Sequence, residues 1–161
     1  MNRTKKWWRL LSFALSIFLC ACEPVGTNPP DGNTIHVKKM NPAVYFEIPV
    51  SDVKRARQFY EKVFDFRFET DTIDGYEMAL FPFRKESSGI TGALAKGDVY
   101  KPSKEGVVLY LHAADIEGIL KRVIDNSGKI LYPQKNIGTL GFVAEIEDSE
   151  GNRIGLHQPK R

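Results

Sequence analysis

Cysteine is missing from everything after residue 22. The only two in this 161-residue chain, Cys20 and Cys22, lie near its start. A disulfide, a thiolate nucleophile and a cysteine-ligated zinc are therefore excluded from the rest of the chain. Tryptophan is confined to the same region (Trp7 and Trp8), and histidine is scarce, with only His36, His112 and His157. There is no glycine-rich phosphate loop and no nucleophile motif. The net charge of +3 is misleading: Arg3, Lys5, Lys6 and Arg9 fall in the first 21 residues, which hold no acid, and +3 less these four leaves −1. No basic, aromatic-interleaved patch remains that would serve a nucleic acid.

The four early cations precede an apolar run, Leu10 to Leu19, too short for a comfortable membrane span. The run ends in Leu19-Cys20-Ala21-Cys22, which resembles the lipobox of bacterial lipoproteins. That resemblance implies a signal peptide over residues 1–21 and Cys22 as the lipidated first residue of the mature chain, held by acyl chains such as palmitate. At ~0.8 kcal/mol per buried methylene, several chains anchor a protein firmly. The expected location is the bacterial cell envelope, facing the periplasm or exterior. An uncleaved amino-terminal anchor is the alternative. Residues 22–40, rich in Pro, Gly, Asn and Thr, read as a flexible tether in which His36 is inert.

From residue 41 the pattern changes. Val44, Phe46, Ile48 and Val50 alternate with Tyr45, Glu47 and Pro49, the period of a strand with two different faces. Ser51 or Asp52 stands at a helix N-cap position. Val53, Ala56, Tyr60, Val63 and Phe64 then recur at helical spacing, and Phe66 and Phe68 restart an extended segment. A second copy runs from Gly106 to Tyr132. Val107, Leu109, Leu111 and Ala113 alternate, Asp115 caps, and Ile116, Ile119, Leu120, Val123 and Ile124 form the stripe. Laying Asp52 on Asp115 puts Glu47 on Tyr110 and Pro49 on His112.

Further strands are expected at Tyr76–Phe83, Ile90–Lys96, Lys129–Tyr132, Gly141–Glu147 and Arg153–Gln158, with Pro133–Leu140 as a loop and 148–152 as a hairpin turn. Each half is then strand-helix-strand-strand-strand. The fold class is α+β, one domain over residues 41–159 built from modules at about 41–97 and 106–159.

Three stretches, VSDVKRARQFYEKVFDF, LHAADIEGILKRV and EDSEGNRIGLHQP, carry a resemblance to the vicinal oxygen chelate superfamily, which includes glyoxalase I, bleomycin-resistance proteins and extradiol dioxygenases. The branch it resembles is glyoxalase-related and without an assigned reaction. Asp65 departs from the pattern, standing where the family has Gly after the helix, but Asp tolerates the left-handed conformation better than most residues. The resemblance implies paired half-barrels around a cleft, and in enzymatic members a divalent metal with one ligand from each of four strands. Those positions fall here on Tyr45, on Gly92 or Ala93, on Val108 and on Gly155, none a His or Glu. No metal and no other cofactor is expected.

If Tyr45 faces the cleft, so does Glu47, because strand side chains alternate. The second half contributes Tyr110 and His112, with Arg153 and His157 flanking Gly155. Glu47 reads either as a general base or ligand anchor, or as a partner of Arg153 or of a tyrosine hydroxyl. His112 reads as proton shuttle, shifted metal ligand or polar plug. Tyr45, Tyr110, Arg153 and His157 read as ligand-binding residues, and Glu145 and Glu147 as a solvated edge. Three functions stay open: a glyoxalase-related enzyme of the lyase or isomerase type, such as a relative of lactoylglutathione lyase; a small-molecule sequestering module; or an envelope interaction protein. The cleft could form in one chain or in a homodimer.

Overall fold

The computed structural model describes residues 42–160. The signal, Cys22, the tether and His36 lie outside the described residues. The expected order of elements is present. The first module comprises β1 (Tyr45–Pro49), α1 (Val53–Phe64), β2 (Glu69–Ile73), β3 (Tyr76–Leu80) and β4 (Thr91–Ala95). The second comprises β5 (Leu109–His112), α2 (Ile116–Asp125), β6 (Lys129–Asn136), a 3-10 turn (Gly138–Leu140), β7 (Phe142–Glu147) and β8 (Arg153–Gln158). The sheets have matching orders, β1-β4-β3-β2 and β5-β8-β7-β6. In each the first and last strands of the module run parallel and the others antiparallel.

Local chemistry accounts for the helices. Asp52 accepts the amide of Arg55, and Asp115 that of Gly118, each satisfying one of the otherwise unpaired donors of a helix start. Asp65 ends α1 at φ +59°, its N–H donating to the Glu61 carbonyl, so aspartate does serve the left-handed position. The stripe of α1 buries Val53, Ala56, Phe59, Tyr60 and Val63, and that of α2 buries Ile116, Ile119 and Val123. Both stripes, with Ile48, Leu94, Leu111 and Leu156 from the strands, join one core shared by the two modules. In the first module this core is markedly aromatic. Tyr60, Phe68 and Phe81 meet edge to face, an arrangement that adds to area burial.

Several expectations fail at element ends. Val44 and Val107 precede their strands and are exposed, as is Ile124 on α2. β6 runs on through Pro133 to Asn136, where a loop was expected. Proline is tolerated there because β6 is an edge strand whose pairing with β7 slips on either side of Tyr132.

The turn between β7 and β8 ties the second module to the first. Asp148 and Asn152 are the two buried polar residues among those described. Tyr60 of α1 donates its hydroxyl to Asp148 Oδ2 at 2.8 Å. Asn152 donates Nδ2 to the Pro49 carbonyl at 2.8 Å and to Asp148 at 3.0 Å, and its Oδ1 accepts the amide of Ser103. Glu150 accepts the amides of Ser51 and Asp52 at 3.0 and 3.1 Å and the Arg55 guanidinium at 2.7 and 2.8 Å. Burial works against the Glu150 charge, but the hydrogen bonds from Arg55 and the two amides outweigh it and hold the carboxyl below its usual value.

Candidate functional site

The face of each sheet turned away from the core carries the polar groups. In the first sheet a cavity of about 600 Å³ is walled by Tyr45 and Glu47 of β1, Leu80 at the end of β3, Thr91 of β4, and Ile73 and Phe83 at the rim. Its lining is largely apolar, and Leu80 also packs on a small buried cluster of Met78, Ala93 and Ala95, together with Tyr76 and Tyr100. Tyr100 comes from the segment linking the modules. It donates its hydroxyl to Glu47 Oε2 at 2.8 Å, and its ring meets Tyr76 edge to face at 5.6 Å. Glu47 is exposed rather than buried, and its Oε1 takes no hydrogen bond among the described residues. Of the two partners considered for Glu47, a tyrosine hydroxyl is present, that of Tyr100, while Arg153 pairs with Glu145.

The hydrogen bond to Glu47 pushes the Tyr100 phenol up to about 12. Tyr45 is also raised, by partial burial and then by the Glu47 charge. Both phenols therefore remain proton donors at neutral pH. The cavity combines apolar walls, the Tyr45 phenol and one carboxylate oxygen free to accept, the other oxygen being held by Tyr100.

The second sheet has its own polar face. Arg153 grips Glu145 through Nε and Nη2 at 2.8 and 3.0 Å, and the Tyr110 hydroxyl reaches Glu145 Oε1 at 3.3 Å. Burial and then the Glu145 charge raise the Tyr110 phenol. His157 Nε2 lies 2.8 Å from the Leu140 carbonyl, and His112 pairs with His157 in register across β5 and β8. Glu145 was expected on a solvated edge. It instead sits on an inner strand, its side chain 14% exposed. The alternation of Val143, Glu145 and Glu147 with buried Ala144 and Ile146 carried that signal; nothing local pointed to Tyr100.

Among the described residues Glu47 and His112 line different cavities, and His157 lines neither of these two. Tyr45 and Glu47 line the first cavity, whereas His112 lines a separate groove with Arg84 and Ser88. No hydrogen bond joins the Tyr45–Glu47 group to the Tyr110–Arg153–His157 group among the described residues. Each module turns its helix toward the common core, so each polar face looks outward on its own.

The model of the Glyoxalase/Bleomycin resistance protein/Dioxygenase superfamily matches residues 43–156, most of the described chain. The protein is a member of this superfamily. A glyoxylase-like domain-containing protein of Didymella fabae is 29% identical over 110 residues, 66% of this chain and 84% of that one. Among solved structures, the trypanothione-dependent glyoxalase I of Leishmania major superposes with a TM-score of 0.58 at 18% identity, over 74% of this chain and 87% of that one. TnmS3, an antibiotic binding protein from Streptomyces, does so at 0.54 and 22%, over 75% and 98%. The chain spans only 45% of the length of the Mycobacterium bovis relative it also matches.

As a superfamily member the chain can be compared with the four-ligand metal centre at its own positions. A Cβ on Gly92 would meet the Phe46 ring at 2.5 Å on the core side, so the polar-face residue of β4 is Ala93. A Cβ on Gly155 would meet the Tyr110 ring at 2.5 Å: that ring lies where a ligand side chain would start. With Tyr45 and Val108, the set offers one phenol and no imidazole or carboxylate, and does not fit that centre. Among the described residues no three His, Cys, Asp or Glu side chains cluster as a metal site would require.

Proposed function

We propose that this superfamily domain binds a small, largely apolar molecule carrying a hydrogen-bond donor in the cavity of the first module. The observation that carries the reading is the free Glu47 Oε1 at the wall of a largely apolar cavity, with its twin oxygen held by Tyr100. Such a mix of apolar wall and few oriented polar groups is what small-ligand sites use. A carboxylate so placed anchors a donor and can accept a proton from it, and the Tyr45 phenol can donate to an oxygen of the same molecule while the Tyr100 hydroxyl stays on Glu47. No step through a metal is assigned. Sequestration without chemistry is the second reading, favoured by the exposure of Glu47, because an accessible carboxylate is solvated as it would be in water. The antibiotic binding neighbour is of the same kind.

A thermal-shift screen of the full chain against small metabolites tests the reading, since a ligand that binds only the folded state raises the melting temperature. Thr91→Trp should fill the cavity and remove the shift; a hit that survives it lies elsewhere. Tyr45, Tyr110 and His112 could meet across a homodimer, and light scattering on the same preparation would report twice the chain mass in that case. The domain is further proposed to be a lipoprotein acylated at Cys22 and held at the cell-envelope membrane. Cys22→Ser should release it from the membrane fraction; retention would discard the assignment of Cys22.

A further inference from the structure

The second module holds a carboxylate at a place where the first has none. Glu150 sits in the turn before β8, on the amides that open α1. The repeat extends to these turns. Phe46 pairs with Gly92 as its counterpart Leu109 pairs with Ile154. Counting back three residues in each turn matches Gly89 with Gly151, and both adopt a left-handed φ, +106° and +94°. Ser88 therefore stands in the place of Glu150, and no side-chain carboxylate is supplied there.

A groove of about 560 Å³ lies at this position. Arg67, Arg84, Ser87, Ser88 and His112 line it together with one carboxylate, Asp65, and His112 is the counterpart of Pro49, whose carbonyl the opposite turn holds through Asn152. Its charges are unbalanced. Arg67 is 3.3 Å from Asp65 and donates to the Phe66 carbonyl. The Arg84 guanidinium and the His112 ring make no ion pair or hydrogen bond among the described residues, although the Arg84 carbonyl accepts the Ser87 amide. The counterpart of Arg55 on α2 is Gly118, so a guanidinium for this place has to come from the turn itself, and Arg84 is there.

We infer that this groove is a second binding site, for a small carboxylate-bearing molecule. The external carboxylate lies beside Ser88, the counterpart of Glu150, with donors of its own: Arg84 pairs with it, the hydroxyls of Ser87 and Ser88 donate to it, and the His112 ring supplies a further N–H. A guanidinium and a carboxylate form paired, charge-assisted hydrogen bonds of defined geometry. The site shares the wall of Arg67, Pro82 and Phe83 with the first-module cavity. It uses neither Glu47 nor Tyr45, and stands or falls independently of the function proposed for them.

Titration of the full chain with succinate, followed by calorimetry and by the NMR signals of the Arg84 Nε–H and the His112 ring, tests it. Saturable binding that shifts both signals is expected. Arg84→Ala should weaken it at least about tenfold, which corresponds to ~1.4 kcal/mol. Ser88→Glu, which gives the first half its own carboxylate, should abolish binding with the circular dichroism unchanged. Glu47→Gln should bind succinate as the parent does. If Ser88→Glu does not fold, His112→Ala takes its place and should weaken binding. Absence of saturable binding, undiminished binding by Arg84→Ala, or equal loss in Glu47→Gln would overturn the site. Tighter binding of inorganic phosphate than of succinate would overturn the carboxylate assignment.

Discussion

Asp148→Ala should lower the unfolding free energy by about 2–4 kcal/mol, because each buried neutral donor left without a partner costs ~1–3 kcal/mol and local relaxation re-pairs some of them. The residue is 3% exposed and accepts from four donors: the Tyr60 hydroxyl, the Asn152 side chain, and the amides of Glu150 and Asn152. Removing the carboxylate strands these donors and loosens the turn that holds Pro49, Ser51 and Asp52. Urea denaturation gives the number directly, with the slope checked for an unchanged transition. Asp148→Asn keeps the shape and part of the accepting capacity and should cost clearly less. A loss under ~1 kcal/mol in Asp148→Ala would mean that the turn does not bind the modules together.

The same cluster has two opposite pH responses. Burial, working against the hydrogen bonds from Asn152 and Tyr60, raises the Asp148 carboxyl above its usual 3.8. A raised carboxyl contributes stability below its unfolded value, lost as pH rises through the folded one. Glu150 is lowered, and so is Glu147, held down by Lys129 and then Lys104. Their contribution is full above the unfolded value of 4.5 and is lost as pH falls through their folded values. The melting temperature should therefore drop on acidification below about pH 4.5, more steeply in the parent than in Glu150→Gln.

Glu47→Gln should weaken the occupant of the first-module cavity by about tenfold to a hundredfold, because a hydrogen bond to a charged acceptor contributes ~1.5–3 kcal/mol. The fold should be indifferent, since Glu47 is exposed and substitutions at such places usually fall within ~0.5 kcal/mol. Tyr100→Phe removes the group that orients the carboxylate and should produce a smaller loss of the same ligand. If the domain turns its ligand over, Glu47→Gln should abolish that turnover. Unaltered binding and turnover in Glu47→Gln, measured by calorimetry and by product formation, would remove Glu47 from the site altogether.

What could be read from the residues was local. The alternation of Phe46 and Ile48 with Tyr45 and Glu47, and of Leu109 and Leu111 with Tyr110 and His112, separates two faces because a strand's side chains alternate whatever surrounds it. The Asp52 and Asp115 caps, the left-handed Asp65 and the doubled order of elements are likewise set within a few residues of chain. The site was legible only as a choice of face.

Its partners were decided by contacts between residues far apart in sequence, to which no local period responds. Tyr100 reaches Glu47 across 53 positions, and Asn152 reaches Pro49 across 103. Arg153 finds Glu145 because β7 and β8 are neighbours, and Pro133 stays in a strand because β6 is an edge. The separation of the two polar faces has the same origin. Helical stripes α1 and α2 bury themselves against one core, and that shared burial, a property of the packed modules together, turns Glu47 and His157 toward different spaces.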